Sequence, residues 1–262
     1  MVDFVQRDHY DLNSLCQIVS ILRSPGGCPW DAEQTHQSLC RGTLEECYEV
    51  IEAIGEGSAE HLKEELGDLL LQVVFHADIE REAGRFDLDA VADGVCKKLI
   101  FRHPHVFGDV SVSGSDEVLV NWDALKRQEK DQQTYTDTLA SVAKSLPALW
   151  RAEKVQKKAK KAGFDWSDVS GAVDKLSEEI EELKQAIAQG TNVEEELGDL
   201  LFSAVNVSRF VKADPEQALG AATDKFIARF AKVEQLAREQ GREMSEMSLE
   251  ELDRLWETAK ST

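Results

Sequence analysis

The sequence predicts an all-α fold made of two tandem helical bundles related by internal duplication. Nearly every segment has apolar residues at helical spacing, and alternating strand-like runs are scarce. The string EELGDLL occurs at residues 64–70 and again at 195–201, which indicates a duplication. A chain of 262 residues is expected to form one or two domains, and the repeat favours two.

Five helices are predicted in the first half, each from apolar residues that share one face. The second begins at Thr43-Leu44-Glu45-Glu46, which fits a capping box. The fourth is expected to end before His103-Pro104, because proline lacks an amide hydrogen and has a fixed φ angle. The five ranges are 10–23, 43–55, 60–83, 87–101 and 115–130.

Five further helices are predicted in the second half, at 145–162, 170–189, 193–212, 215–241 and 248–260. The fourth of these continues without a break through KFIARFAKVEQLAREQ. Between the halves, QEKDQQTYTDT (128–138) is polar and lacks apolar periodicity, which is typical of a linker. The predicted domains are therefore 1–127 and 139–262, joined by the linker 128–138.

Charge and composition narrow the classes of function. The chain has 50 acidic and 30 basic residues and a formal charge of −20, which disfavours nucleic acid and anionic membranes as partners. The N-terminus lacks the apolar core of a signal peptide, and no later run is long and apolar enough to span a bilayer, so a cytoplasmic location is expected. The five cysteines form no CxxC pair and predict reduced thiols rather than disulfides or a zinc finger.

The duplication extends to the charged residues. LEECYEVIEAI (44–54) aligns with SEEIEELKQAI (177–187) and keeps the EExxE spacing. KLIFR (98–102) aligns with KFIAR (225–229), and NWDALK (121–126) with LWETAK (255–260). Trp30, in GCPWD, has a counterpart in Trp166, in GFDWS. The same acids, bases and tryptophans therefore occur twice in the same order.

The acids of the second repeat predict a metal site. Glu179 and Glu182 share a face of one helix, and Glu196 and Asp199 share a face of the next. A short connection makes these helices antiparallel neighbours, so the four carboxylates can meet, and a cation must then offset their repulsion. Oxygen ligands predict Mg²⁺, with Mn²⁺ as a possible substitute and zinc disfavoured. Gly198 is interpreted as permitting close approach of the two helix backbones.

Two other interpretations of these acids remain open at this point. Acid-rich helices are usually solvated faces, and a capping role accounts for Glu46 at the start of its predicted helix. In the second half Leu176 replaces the capping threonine, so capping cannot account for Glu179. Recurrence of both acid sets with ELGD intact favours the metal site.

These residues resemble the MazG nucleoside triphosphate pyrophosphohydrolases, whose pattern is EExxE followed by ExxD. The resemblance covers essentially the whole chain. It includes the phrases ILRSPGGCPWDAEQTHQSL (21–39), FRHPHVFGD (101–109) and SLPALWRAEKVQKKAKKAGFDW (145–166). It implies an all-α enzyme, usually a homodimer, that uses Mg²⁺ to hydrolyse nucleoside triphosphates to monophosphate and pyrophosphate. Broad base specificity and a role in nucleotide-pool cleaning or stress regulation are also implied.

The resemblance assigns roles to matching positions of this chain. The metal ligands of the second repeat are Glu179, Glu182, Glu196 and Asp199, and Glu178 and Glu195 are nearby acids that could orient water. The first repeat offers a second possible metal site at Glu46, Glu49, Glu65 and Asp68. Triphosphate contacts fall on Lys225, Arg229 and Lys175, and Trp256 and Lys260 match positions that close over the nucleotide.

Other interpretations of individual residues remain open. Lys225 and Arg229 could each pair with a neighbouring acid, and Trp256 could belong to the core or to a dimer interface. The basic run KVQKKAKKAG (154–163) is interpreted as a solvated helix face, because the surrounding chain is acidic. His103 and His105 have no counterparts in the second half and fit a loop or helix-end role.

Two functions of other classes also stay open: a regulatory module that binds metal and nucleotide with little turnover, and an acidic helical scaffold. Among enzymes, the surroundings of the two repeats favour the second as the main catalytic site. Gly42 replaces Lys175 in the first repeat, and the helix of Lys98 and Arg102 stops at Pro104. The second repeat instead places its cations in one long helix, which suits a rigid triphosphate clamp.

Overall fold

The computed structural model of the chain describes residues 4–129 and 132–260. It is 76% helical, with no strand among the described residues, which confirms the all-α prediction. The chain divides into two compact units, Met1–Lys126 and Arg127–Thr262. Residues 130 and 131, inside the predicted linker, lie outside the described residues. Among those described, no helix combines the length and the hydropathy needed to cross a membrane.

The first unit is built around a helical hairpin. Its apolar core is formed by the buried side chains of Val19, Leu39, Val74 and Phe75. Helix α7 crosses the boundary between the units. The helices are α1 (Leu12–Arg23), α2 (Pro29–Ala32), α3 (His36–Glu56), α4 (Ala59–Glu82), α5 (Leu88–Arg102), α6 (Pro104–Phe107) and α7 (Ser115–Glu129).

The second unit repeats the hairpin and adds a long helix. A separate apolar cluster of Val233, Ala237, Leu255 and Ala259 joins the last two helices. The first short helix, α8, occupies part of the range predicted as linker. The helices are α8 (Tyr135–Ala140), α9 (Ala148–Lys161), α10 (Val169–Gln189), α11 (Val193–Phe210), α12 (Pro215–Glu239) and α13 (Leu249–Lys260), with a 3-10 turn at Met244–Glu246.

The start of α3 corrects one sequence prediction. The helix begins at His36, where the Thr35 side chain and Ser38 form a reciprocal capping box. Thr43 lies inside the helix, and its hydroxyl donates a hydrogen bond to the Leu39 carbonyl at 3.0 Å. The capping box predicted at Thr43 is therefore wrong, and capping does not account for Glu46.

Both hairpins reverse direction at a glycine. α3 ends at Gly57 (φ 70°) and α10 ends at Gly190 (φ 69°), in the left-handed conformation that glycine adopts without steric cost. α3 packs along α4, and α10 packs along α11. Each hairpin therefore places the EExxE helix beside the helix that carries EELGD.

Candidate metal centre

The second unit brings three of the predicted acids into one cluster. Carboxylate oxygens of Glu179, Glu196 and Asp199 all lie within 4.8 Å of one another. Glu179 comes from α10 and is only 5% exposed, whereas Asp199 on α11 is exposed. The cluster thus has a buried side and an open side.

Glu182 lies beside this cluster rather than inside it. It follows Glu179 by one helical turn, and partial burial, followed by a hydrogen bond with Glu179, raises the pKa of Glu182. A raised carboxyl pKa means that the ionised form is disfavoured by its surroundings. A divalent cation would relieve this crowding of negative charge.

Lys175 is the resident positive charge of the second cluster. Its ammonium group lies 2.9 Å from Glu179 and 3.0 Å from the exposed Glu178. These hydrogen bonds raise the pKa of Lys175. The sequence predicts that Lys175 lies one helical turn before Glu179. Only the structure shows that the two side chains are in contact.

The first unit has a similar cluster with a different counter-ion. Carboxylate oxygens of Glu46, Glu49 and Glu65 lie within 4.8 Å of one another. Burial, followed by the charge of Asp68, raises the pKa of Glu46, so Asp68 is a close neighbour that stands outside this group. Nε2 of His61 lies 3.1 Å from the Glu65 carboxylate, a contact that sequence reasoning missed.

Both clusters fit a hard divalent cation. Their donors are carboxylate oxygens, without thiolate or imidazole in either three-residue group, and such donors suit Mg²⁺ or Mn²⁺ better than zinc. Burial, and after it the neighbouring carboxylates, raises the pKa of Glu46 and of Glu182.

Gly198, between Glu196 and Asp199, is not a point of close approach between two helix backbones. A Cβ built at Gly198 would meet no atom within 4 Å, and the same holds for Gly67 in the first repeat. The predicted close approach of helix backbones at Gly198 is therefore wrong. The open space beside Gly198 belongs to a cavity of about 540 Å³ that Leu201 and Phe202 also line.

Two of the three predicted triphosphate contacts, Lys225 and Arg229, lie on α12. Lys225 is exposed and Arg229 is half-buried, one turn later on the same helix. Within residues 4–129 and 132–260, neither forms an ion pair with a carboxylate, and neither is joined to the metal cluster by a hydrogen bond. The acid pairing considered for these two cations is absent from the described chain.

The remaining predicted contacts lie near the end of the chain. Trp256 on α13 packs beside Phe226 of α12, with ring centroids 5.1 Å apart. Lys260 pairs with Glu257 on the same helix. Glu195 is exposed in the first turn of α11. Within the described part of the chain, neither a hydrogen bond nor an ion pair joins the side chains of these three residues to the carboxylate cluster.

The matching cations of the first unit are placed differently. Arg102 is buried, and its guanidinium lies 5.7 Å from the ring centroid of Trp122. His103 follows the last residue of α5, as the sequence predicted, and meets the same indole edge-on at 4.8 Å. The first unit thus uses its arginine and tryptophan in internal packing.

Comparison with known proteins identifies the family. The MazG nucleotide pyrophosphohydrolase domain matches residues 34–107 and 159–234, which together exceed half of the chain. The chain belongs to the MazG family. Each match contains one complete set of carboxylates, and the second also contains Lys225 and Arg229, whereas Trp256 and Lys260 lie beyond it.

MazG relatives match along nearly the whole chain. A Thermotoga maritima nucleoside triphosphate pyrophosphohydrolase/pyrophosphatase MazG is 48% identical over 246 residues, 94% of each chain. An Escherichia coli K12 nucleoside triphosphate pyrophosphohydrolase is 43% identical over 254 residues, 95% of this chain and 97% of that protein. The uncharacterized protein YabN of Bacillus subtilis is 48% identical over 257 residues, 97% of this chain but 52% of that protein.

Proposed function

We propose that this MazG-family chain hydrolyses nucleoside triphosphates to nucleoside monophosphate and pyrophosphate. The observation that carries the proposal is the cluster of Glu179, Glu196 and Asp199 within a matched MazG domain. Relatives that align over more than nine-tenths of the chain are named for this activity. Broad base specificity and a nucleotide-pool cleaning or stress-regulatory role form part of the same proposal.

The metal of this reaction is proposed to be Mg²⁺, with Mn²⁺ able to substitute. Glu179, Glu196 and Asp199 would hold it, with Glu182 completing the four carboxylates. When bound, such a cation neutralises the triphosphate, polarises the phosphorus and lowers the pKa of water.

The other charged residues act on the substrate and on water. Lys225 and Arg229 hold the negative charge that develops on the departing pyrophosphate, and their lack of ion pairs among the described residues leaves both able to do so. Lys175 contacts the triphosphate from the α10 side. Glu178 and Glu195, both exposed, orient the attacking water, and Glu178 accepts its proton.

The end of the chain covers the bound nucleotide. Trp256 and Lys260 lie on α13, which packs against α12 through Val233, Ala237, Leu255 and Ala259. α12 also carries Lys225 and Arg229. The packed pair of α12 and α13 therefore both contacts the phosphates and covers the nucleotide.

Product analysis tests this function directly. Purified protein is incubated with a panel of nucleoside triphosphates and MgCl₂, and the products are identified by phosphorus NMR. We expect monophosphate and pyrophosphate in equal amounts, and no turnover when the metal is chelated. Release of orthophosphate with diphosphate would contradict the assignment, and binding without turnover would favour a regulatory module.

The second partner proposed is another copy of the chain. α12 exposes Leu219, Phe226, Ile227 and Phe230, and the α10–α11 hairpin exposes Ile180, Ile187, Leu197 and Leu201. Exposed apolar helix faces of this extent favour association. Light scattering at micromolar concentration should give twice the chain mass of 29.2 kDa, and a monomer mass would refute the homodimer.

A further inference from the structure

Helix α12 of the second unit is buried at its two ends and exposed between them. Residues 217–228, which include Lys225, are all exposed in the described chain. Pro215, the first residue of the helix, is buried, and the C-terminal part packs on α13 through the apolar cluster of the second unit. The placement of Lys225, and of Arg229 one turn later, therefore depends on what holds these two ends.

Three hydrogen bonds join the N-terminus of α12 to the N-terminus of α9. The indole Nε1 of Trp150 donates to both oxygens of the Asp214 carboxylate, at 2.9 and 3.0 Å. The backbone amide of Leu149 donates to Oε1 of Glu216 at 3.3 Å. Together these contacts form a latch between the two helices.

Both carboxylates of the latch also satisfy amides at helix ends. Asp214 is the N-cap of α12 and accepts from the Gln217 amide at 3.0 Å. The N-cap of α9 is Pro147, which makes no side-chain hydrogen bond, so Glu216 supplies an acceptor that the first turn of α9 otherwise lacks. Burial acts to raise the pKa of Asp214, but the hydrogen bonds from the Gln217 amide and the Trp150 indole outweigh it and lower the pKa. Groups from two helices thus hold Asp214 as a carboxylate.

Asp214 also ends the short connection between the carboxylate helix α11 and α12. Residues 211–214 separate the two helices. Within them Lys212 has φ 59°, a left-handed conformation that is uncommon outside glycine. The latch acts at this turn, and so it constrains the direction in which α12 leaves α11.

The buried contact of α12 with α13 is the other fixed point. Val233, which belongs to that contact, is eight residues after Lys225, or about 12 Å along the axis. If the N-terminus of α12 moves, Lys225 swings about this point, and Arg229 moves less. Misplacement of a catalytic group by about 1 Å can cost about a hundredfold in rate. Accurate placement of both cations therefore requires the N-terminus to be held.

The first unit has the same cap but no latch. Counting from the aligned KLIFR and KFIAR strings, Asp87 stands where the second unit has Asp214, and it is the N-cap of α5. Counting from the aligned tryptophans, Ser14 stands in place of Trp150, and its hydroxyl donates to Asp11 on its own helix at 2.7 Å. Within residues 4–129, no hydrogen bond from α1 reaches Asp87. Among the described residues, the latch is thus specific to the second unit.

We propose that Trp150 and Asp214 are positioning residues that anchor α12, so that Lys225 and Arg229 meet the phosphates of the substrate. This inference rests on the proposed function, because it takes these two cations to bind the triphosphate. The latch acts through α12 and contacts neither the substrate nor the metal.

Substitutions in the full-length chain test the latch by calorimetry. Trp150→Phe removes the indole donor and keeps an aromatic ring, and Asp214→Asn keeps an oxygen that can cap α12 and accept from Trp150. Trp30→Phe is the matched control, since Trp30 is 66% exposed and its indole donates no hydrogen bond among the described residues. Each protein is titrated with MgCl₂ alone, which reports on the carboxylate clusters, and then with inorganic tripolyphosphate at saturating MgCl₂.

We expect Trp150→Phe to bind tripolyphosphate about tenfold more weakly, because a hydrogen bond to a carboxylate favours the anchored conformation of α12 by about that factor. Asp214→Asn should keep most of the affinity, and Trp30→Phe should match wild type. Mg²⁺ binding should be unchanged in all three variants. Wild-type affinity for tripolyphosphate in Trp150→Phe would overturn the proposal, as would an equal loss of Mg²⁺ binding, since general structural damage would affect both ligands.

A double-mutant comparison shows whether the latch acts through the two cations. Adding Trp150→Phe to a chain that already carries Lys225→Gln and Arg229→Gln should cause little further loss of tripolyphosphate binding. A second tenfold loss in that background would contradict the proposal. If Trp150→Phe weakens tripolyphosphate binding as expected but the wild-type protein releases no pyrophosphate from ATP, the proposed function fails while the latch stands.

Discussion

Lys175 distinguishes the two carboxylate clusters at the scale of single residues. It contacts Glu179 at 2.9 Å, whereas the aligned position in the first repeat is Gly42. In the first unit, His61 lies 3.1 Å from Glu65 instead. Each cluster therefore has its own basic partner: Lys175 from α10 in the second unit and His61 from α4 in the first.

Removal of Lys175 should tighten metal binding by the second cluster. In Lys175→Gln the Glu179 carboxylate loses a competing cation, and a partly exposed pair of this kind contributes up to about 1 kcal/mol, or up to about fivefold in affinity. The measurement is Mg²⁺ titration by calorimetry at pH 8 without nucleotide. Lys184→Gln is the control, because among the described residues Lys184 pairs only with the exposed Glu181 on the same helix. Unchanged or weaker binding in Lys175→Gln would show that Lys175 does not compete with the metal.

Residue spacing could predict the acids but not their partners. Glu179, Glu196 and Asp199 meet because helical spacing and a short connection constrain where they lie. The contacts of Lys175 and His61 depend on side-chain conformations and on α-helix packing that spacing does not specify. The ion pairs beside α4 and α11 also depend on packing: Arg209 pairs with Asp165, whereas Asp78, at the position aligned with Arg209, pairs with Arg23.

At the scale of elements, apolar periodicity predicted the long helices well and the short ones poorly. α2, α6 and α8 have four to six residues, too few to show a helical period. The start of α3 was placed late because Thr43-Glu46 imitates a capping box, while the actual cap uses Ser38 rather than an acid three residues after Thr35.

The early start of α3 also creates a polar link to α4. His36, the first residue of α3, contacts His76 at 2.8 Å and the Glu80 carboxylate at 2.6 Å. Arg85 binds the same carboxylate at 2.7 Å. Hydrogen bonds from Arg85, and then from His36, lower the pKa of Glu80 to about 2. This link ties the N-terminus of α3 to the C-terminal end of α4.

Glu80 should make the free energy of unfolding depend on pH in the acid range. Its lowered pKa gives a contribution that is complete above the usual value of 4.5 and is lost as the pH falls to about 2. In urea unfolding, Glu80→Gln should lower the midpoint at pH 6, and the difference from wild type should shrink through that window. Glu33→Gln, at an exposed acid of the same unit, should match wild type throughout. A difference that stays constant with pH would contradict this linkage.

At the scale of the whole molecule, duplication has preserved the acids while the surroundings diverged. The first unit buries Arg102 against Trp122. The second unit leaves Lys225 and Arg229 without ion pairs among the described residues. The arginine that would contact a triphosphate is therefore more accessible in the second unit, and Lys175 of that unit is replaced by Gly42 in the first.

We therefore expect the second unit to perform most of the hydrolysis. Glu179→Gln and Glu46→Gln each keep the side-chain shape and remove one charge from one cluster. Glu179→Gln should reduce pyrophosphate release by at least about a hundredfold. The variant loses a metal ligand, and a misplacement of the reacting groups by about 1 Å can cost about a hundredfold in rate. Glu46→Gln should leave most of the activity, since the first repeat has Gly42 in place of Lys175 and its arginine, Arg102, is buried. The measurement is pyrophosphate release at saturating Mg²⁺, with circular dichroism to verify folding. The reverse pattern would place catalysis in the first unit, and equal partial losses would show that both units hydrolyse the substrate.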